Sequence, residues 1–170
     1  ICFQEWTFAS QREVESHPFV RDNFYILLKE DLTIQNQSSH QKCVIWLRRP
    51  STSSLPNIFS EYKINALFNL DVPHYFRKSI AVKLTNVKTH AVLVVTSVHL
   101  ESNSYMTKSR RAQLKYLTQL VDNKLYDEQD KKRGSLMHII CGDFNFNLAV
   151  EEKYIEECNL VDAWTVSNKK

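Results

Sequence analysis

The sequence predicts a single α+β domain in which antiparallel strand pairs outnumber strand–helix–strand units. The clearest strands are two apolar, β-branched segments at 79–84 and 91–98, which a short polar interval separates as in a hairpin. A second pair is predicted at 23–28 and 43–47, and one long amphipathic helix at about 105–126. This mixture favours an α+β sandwich over a doubly wound parallel sheet.

Length and composition fit an ordinary folded protein. A chain of 170 residues matches one domain, and its 43% hydrophobic and 24% charged content excludes disorder along the whole chain. The net charge of +3 is too small to identify a nucleic-acid-binding protein by itself. No apolar run approaches the length of a membrane span.

The cysteines predict a reduced, intracellular protein, which we place in the nucleus or the cytoplasm and expect to be a monomer. No pair of them has the C-x-x-C spacing of a zinc site or a redox motif. The chain is also far from the cysteine density of a disulfide scaffold. The four are Cys2, Cys43, Cys141 and Cys158.

The chain begins with an apolar segment at residues 1–3, which predicts the last part of a buried strand. Gln4 and Glu5 would stand at the C-terminal end of that strand. Because a domain rarely begins in the middle of a strand, we expect the sequence to be truncated. Residues 6–22 predict a helix plus a loop, and 58–70 favour a strand slightly over a helix.

The C-terminal elements start with the long helix, whose apolar residues recur at helical spacing. The charged segment 127–133 is predicted to be exposed, 136–141 to be a buried strand, and 149–158 to be a short helix. The stripe of the long helix comprises Ala112, Leu114, Leu117, Leu120, Val121 and Leu125.

Three polar clusters each follow an apolar strand, where loops converge on a rigid support. They are Gln4-Glu5, His99–Ser102 and Gly142–Asn145. If the last strand continues, Asp143 and Asn145 share one face and could hold and polarise a water molecule beside a phosphate. The alternative is an ordinary turn, for which Gly, Asp and Asn are common.

The other polar residues allow two interpretations each. Glu5 is an oxygen ligand of the type Mg²⁺ takes, or an exposed strand-end residue. His99 could contact a phosphate or act in acid–base catalysis, or be structural. Ser102 could donate to a phosphate or cap its loop, and Arg110 and Arg111 are phosphate partners or a solvated first helical turn.

Several other enzyme classes fit the sequence poorly. There is no G-x-S-x-G elbow, no glycine pattern of a P-loop or dinucleotide fold, and no H-E-x-x-H zinc helix. A catalytic triad of Ser97, His99 and Asp143 is conceivable. Ser97 and His99 would then lie on the same face of one strand, where they can hardly adopt the hydrogen-bonded arrangement that a triad requires.

Taken in order, three motifs resemble those of the endonuclease/exonuclease/phosphatase superfamily: Gln4-Glu5, Thr96–Leu100 and Gly142–Asn145. Within it, the tyrosyl-DNA phosphodiesterase 2 group is similar at Arg111–Lys115 and at Leu160–Trp164. The resemblance implies a four-layer α/β/β/α sandwich, in which helices flank two packed mixed sheets, here incomplete.

The resemblance also implies hydrolysis of 5′-phosphotyrosyl–DNA bonds in DNA repair, with Mg²⁺ as cofactor, Mn²⁺ as a substitute and DNA 5′ ends as the partner. Glu5 then matches the metal ligand and Asp143 the residue that orients or deprotonates the attacking water. Asn145 matches its partner near the scissile phosphate, while His99 and Ser102 match phosphate contacts.

The sequence also departs from this pattern. The superfamily's first Asn motif would lie upstream of Ile1 and its closing Ser-Asp-His box downstream of Lys170, so we expect these 170 residues alone to be poorly stable and inactive. Phe146-Asn147 stands where the tyrosyl-DNA group tends to carry an arginine. Two alternatives stay open: another superfamily substrate (a phospholipid head group, an inositol phosphate or an RNA tail), or a catalytically inactive interaction module.

Overall fold

A computed structural model shows two β-sheets packed face to face with helices outside them. It describes residues 1–6, 13–27, 42–49, 61–72 and 78–168. The strands are β1 (Cys2–Trp6), β2 (Phe24–Leu27), β3 (Lys42–Arg48), β4 (Tyr62–Asp71), β5 (Lys78–Asn86), β6 (Val92–His99) and β7 (Leu136–Asp143). The helices are α1 (Pro18–Asn23), α2 (Thr107–Leu120), α3 (Glu128–Arg133), α4 (Leu148–Glu151), α5 (Lys153–Glu157) and α6 (Ala163–Ser167).

Both sheets are built mainly from antiparallel pairs, as predicted. The first has the order β1-β3-β2 and the second β4-β5-β6-β7. The hairpin of β5 and β6 is confirmed, and β6 and β7 form the one parallel pair among the described strands. A parallel pair needs a long crossover, and α2 and α3 supply it.

The core between the sheets follows the alternation of side chains along each strand. Alternate residues of β5 face the first sheet, while Ala81 between them faces the helices. The buried residues that meet between the sheets are Ile80, Val82 and Leu84 of β5 and Cys43, Ile45 and Leu47 of β3.

Helices cover the outer face of each sheet, which completes the four layers. Val20 of α1 packs on Val44 and Trp46 of β3. On the other side, the buried face of α2 and the π-helical turn that extends it (Val121–Leu125) packs on β6. The predicted stripe is confirmed, with Leu114, Leu117, Val121 and Leu125 buried and Ala112 and Leu120 half-buried.

The prediction that 127–133 is an exposed charged segment is wrong in part. Asp127 caps α3, and Asp130 completes a capping box with it. Asp130 is buried and pairs with Lys83, which points from β5 toward the helices. A buried lysine needs a counter-charge. The first turn of α3 therefore supplies the carboxylate that neutralises Lys83 of the sheet.

Two further helix predictions are modified. The predicted helix at 149–158 is divided at Glu152 into α4 and α5. Within 6–22, residues 13–16 and α1 are helical, while 7–12 lie outside the described residues. The predicted strand at 58–70 is confirmed as β4 for its described part. No helix in the described ranges is long and apolar enough to cross a membrane.

His138 is expected to make the fold sensitive to acid. It lies on β7, with Nε2 2.9 Å from Thr96 Oγ1, and burial lowers its pKa to about 4. The folded pKa is below the unfolded value of about 6.5, so below that pH the unfolded chain takes up a proton that the folded chain does not. Stability should therefore fall between pH 6.5 and pH 4, by at most about 1.4 kcal/mol per pH unit.

Urea unfolding at pH 7, 6 and 5 measures this effect. His138→Gln, which can keep a hydrogen bond to Thr96, should make the dependence shallower. His17→Gln, at an exposed histidine before α1, should leave it unchanged. Equal pH dependence in the His138 variant and the unmodified protein would contradict the assignment.

Candidate active site

The carboxyl ends of β6 and β7 lie side by side. Their parallel register pairs His99 with Asp143. His99 Nε2 lies 3.9 Å from Asp143 Oδ2, and the N–H of Leu100 donates to the carbonyl of Asp143 at 2.9 Å. That side-chain distance is too long for a hydrogen bond, but it leaves both groups facing one small space.

The two side chains differ in exposure. The side chain of His99 is 7% exposed, whereas that of Asp143 is 51% exposed. The Asp143 carboxylate is therefore accessible from solvent, while the His99 side chain is buried beside it. Ser102 lies three residues further along the chain and is exposed.

Gly142 permits this close approach of the strands. Its φ of +135° is rare for any residue with a side chain, and a Cβ atom there would lie 2.1 Å from the carbonyl oxygen of Val98. It would also lie 2.9 Å from Nε2 of Gln4. The glycine is required because β6 and β1 both lie against this backbone.

β1 joins the site from the other sheet. Gln4 Nε2 donates to Ser97 Oγ at 3.2 Å, and Ser97 Oγ donates to the carbonyl of Phe3 at 3.5 Å. The three polar clusters that the sequence places at strand ends are thus brought together. Glu5 follows Gln4 on β1, and its side chain lies outside the described part of the structure.

Asn145 does not continue the strand, so the expectation that it shares a strand face with Asp143 is wrong. β7 ends at Asp143, and Asn145 has a φ of +51°, which asparagine tolerates better than most residues. Its N–H donates to Asp143 Oδ1 at 2.8 Å, and its Nδ2 donates to the carbonyl of Leu100 at 3.1 Å. The turn interpretation therefore describes the backbone, and the turn holds the Asp143 carboxylate in place.

Arg110 is a structural residue and not a phosphate partner. Its side chain is 1% exposed and forms a two-pronged pair with Glu151, Nε to Oε1 and Nη2 to Oε2, both at 2.8 Å. Its remaining N–H groups donate to the carbonyls of Glu101, Asn103 and Ser104 at 3.1, 2.6 and 3.3 Å. Because a guanidinium has five N–H groups, every donor is already used inside the protein.

Arg110 thereby connects the two loops of the site. The loop after His99 is held through its carbonyls, and the segment after Asn145 through Glu151, which also accepts the N–H of Asn147 at 2.8 Å. Burial raises the pKa of Glu151, but the hydrogen bonds from Arg110 and Asn147 outweigh this, and the net pKa is lowered. The sequence did not single out Glu151, because nothing local to α4 distinguishes it from a surface glutamate.

Arg111 lies on the helix surface beside Arg110. Its Nε is 2.7 Å from Glu157 Oε2, and its guanidinium lies 5.5 Å from the ring centre of Tyr154. This arginine thus ties α2 to α5 and does not point into the space between His99 and Asp143.

The described strand ends offer an oxygen donor, the Asp143 carboxylate, which is the type of ligand that hard cations take. No group of three or more His, Cys, Asp or Glu side chains that could hold a metal occurs among the described residues. Mg²⁺ commonly takes one or two protein carboxylates and keeps several waters. The half-exposed Asp143 is a carboxylate of this type, and Glu5 on β1 is the residue that the sequence predicts as the metal ligand.

Comparisons with known proteins identify the fold. No family model matches the chain, and no curated protein does. Among solved structures, TDP2 from D. rerio in complex with a single-stranded DNA product aligns over 99% of the chain at 17% identity, with a TM-score of 0.65. The human Nocturnin catalytic domain with bound sulfate aligns over 99% at 18% identity, with a TM-score of 0.66.

A third similar structure is ANGEL2, a 2′,3′-cyclic phosphatase, over 85% of the chain at 16% identity with a TM-score of 0.58. The chain covers 57% of that TDP2 chain, 60% of the Nocturnin chain and 38% of the ANGEL2 chain. All three are endonuclease/exonuclease/phosphatase-fold proteins. The chain has this fold, as its motifs predicted.

Proposed function

We propose that the chain forms the centre of a metal-dependent phosphodiesterase site that hydrolyses 5′-phosphotyrosyl bonds at DNA ends. The observation that carries the proposal is the meeting of Gln4 on β1, His99 on β6 and Asp143 on β7. The fold shared with the TDP2 structures supports the substrate class, as do the motifs at Arg111–Lys115 and Leu160–Trp164.

Asp143 is the group suited to activate water. Its carboxylate is half-exposed, and the N–H of Asn145 fixes one oxygen, so the other can accept a proton from a water molecule. The water oxygen then attacks the phosphorus atom, and the phenolic oxygen of tyrosine leaves. A bound Mg²⁺ would neutralise negative charge on the phosphate.

His99 and Ser102 are assigned to the phosphate. His99 lies beside Asp143 and is itself little exposed, so it can donate to a phosphate oxygen from a position that the surrounding protein fixes. Ser102 is exposed on the loop that Arg110 holds, where its hydroxyl can donate to the same group. Asn145 orients Asp143 through its backbone and is a positioning residue in this scheme.

The test is tyrosine release from a 5′-phosphotyrosyl oligonucleotide by the protein in its full natural length. Asp143→Asn retains the oxygen that accepts the Asn145 N–H, so the turn should survive. Loss of the base should lower the rate by at least about 100-fold. Asp22→Asn is the matched control and should keep full activity, because Asp22 is an exposed residue of α1 on the outer face of the first sheet.

The substrates distinguish the alternatives. Tyrosine release that needs both Mg²⁺ and Asp143 supports the proposal. Metal-dependent hydrolysis of a 2′,3′-cyclic nucleotide or a p-nitrophenyl phosphodiester without tyrosine release would support a phosphoesterase. It would also reject the 5′-phosphotyrosyl–DNA substrate. A folded protein that is inactive on all of them would favour an interaction module.

A further inference from the structure

Two thiols lie against each other beside the site, and the proposed reaction uses neither. Cys2 is on β1 and Cys141 is on β7, so they come from different sheets and from positions 139 residues apart. Their sulfur atoms are 3.0 Å apart, and both side chains are half-buried. Among the described strands, β1 and β7 lie at the edges of their sheets, and this contact links them.

The contact makes the two thiols chemically unequal. The S–H of Cys141 donates to the sulfur of Cys2, which lowers the pKa of Cys2 to about 7. The same contact, together with burial, raises the pKa of Cys141. A pKa near neutrality favours the thiolate, the nucleophilic form of cysteine, at Cys2.

We propose that Cys2 and Cys141 are a peroxide-responsive pair whose oxidation to a disulfide bonds β1 to β7 next to the candidate active site. The Cys2 thiolate attacks one oxygen of hydrogen peroxide, which gives the sulfenic acid and hydroxide. The sulfur of Cys141 then attacks the sulfenic sulfur, and the hydroxyl group leaves with the thiol proton as water. The peroxide gains two electrons, and the two thiols lose them.

The geometry favours this pair over the other cysteines. A disulfide has an S–S distance of about 2.05 Å, so the sulfurs need to approach by only about 1 Å. Cys43 lies on β3 and is 6% exposed, and Cys158 ends α5 on the far side of the second sheet. The sulfur–sulfur contact of 3.0 Å joins Cys2 to Cys141.

The bond would act on the site because of where it lies. Cys2 is two residues before Gln4, and Cys141 is adjacent to Gly142, whose backbone contacts Val98 and Gln4. A covalent link there holds together the strands whose ends form the site. It would also join two distant parts of the chain, which restricts the unfolded state strongly.

Peptide mapping tests the proposal directly. The protein in its full natural length is treated with hydrogen peroxide, alkylated without reduction and digested with trypsin. Arg12, Arg48 and Lys153 place the four cysteines in four separate peptides, so each linkage gives a distinct mass. We expect a species that joins the Cys2 and Cys141 peptides and disappears on reduction with dithiothreitol.

Thermal unfolding supplies an independent readout. Oxidation should raise the midpoint by at least about 5 °C in the unmodified protein and in Cys158→Ser, and reduction should reverse the rise. Cys2→Ser and Cys141→Ser should show no rise in the midpoint. Cys2→Ala replaces Cys2→Ser in this test if the serine variant does not fold. Linkage of Cys2 to Cys43, or terminal oxidation of Cys2 with no cross-link, would overturn the proposal.

Discussion

Replacing Arg110 with alanine should lower the free energy of unfolding by about 3–5 kcal/mol, the range found when one partner of a buried ion pair is removed. The substitution leaves Glu151, itself 0% exposed, as a buried charge that keeps the hydrogen bond from the N–H of Asn147 but loses both bonds from the guanidinium. Three carbonyls also lose their donors at the same time. Urea unfolding followed by circular dichroism measures the change.

Two other substitutions test why Arg110→Ala destabilises the protein. Arg110→Lys should recover little of the loss, because an ammonium group has three donors and lacks the planar fork that matches a carboxylate. Arg111→Ala is the neighbouring control. It breaks a solvent-exposed pair with Glu157 and should cost less than about 1 kcal/mol. Equal effects at the two arginines would contradict the structural role assigned to Arg110.

The same residue shows what the sequence could and could not reveal. An arginine in the first turn of a helix is compatible with a phosphate contact or with a solvated surface, and the sequence does not decide between them. Its actual partner, Glu151, is 41 positions away and on another helix. Only the tertiary structure brings the two together, so no local pattern could have indicated the pair.

Lys83 and Asp130 illustrate the same limit. A lysine within a β-branched strand is compatible with either face of the sheet, and charged segments such as 127–133 are usually exposed. Burial of the pair depends on α3 bringing Asp130 to Lys83 of β5, which is a property of the packed layers.

The strand ends were predictable because their signal is local. Apolar segments followed by polar residues identify β6 and β7 and the side chains that emerge from them. The prediction that the strand at 136–141 is buried is wrong, because Met137 and Ile139 are 59% and 42% exposed on β7, which has β6 as its one neighbour among the described strands. His99 and Asp143 therefore come together as expected. The conformation at Asn145 was not predictable, because Gly-Asp-x-Asn is compatible with both a continued strand and a turn, and contacts with Leu100 determine which forms.

Replacing Gly142 with alanine tests whether the approach of β1, β6 and β7 is essential to the site. The new Cβ atom would lie 2.1 Å from the carbonyl oxygen of Val98, far inside contact distance, and the backbone φ of +135° is unfavourable for alanine. The obstructing atom belongs to the backbone of a central strand, so it cannot move without breaking the β6–β7 pairing. We expect a loss of at least about 3 kcal/mol in unfolding free energy.

Gly134 is the matched control, because it also has a positive φ, +71°, but nothing lies within 4 Å of its Cβ position. Gly134→Ala therefore measures backbone strain alone, and we expect about 1 kcal/mol. The difference between the two variants measures the steric contact together with the greater backbone strain at a φ of +135°. If both variants lost the same small amount, the carboxyl ends of β6 and β7 would have to separate readily, and the short distance between His99 and Asp143 could not be a fixed property of the site.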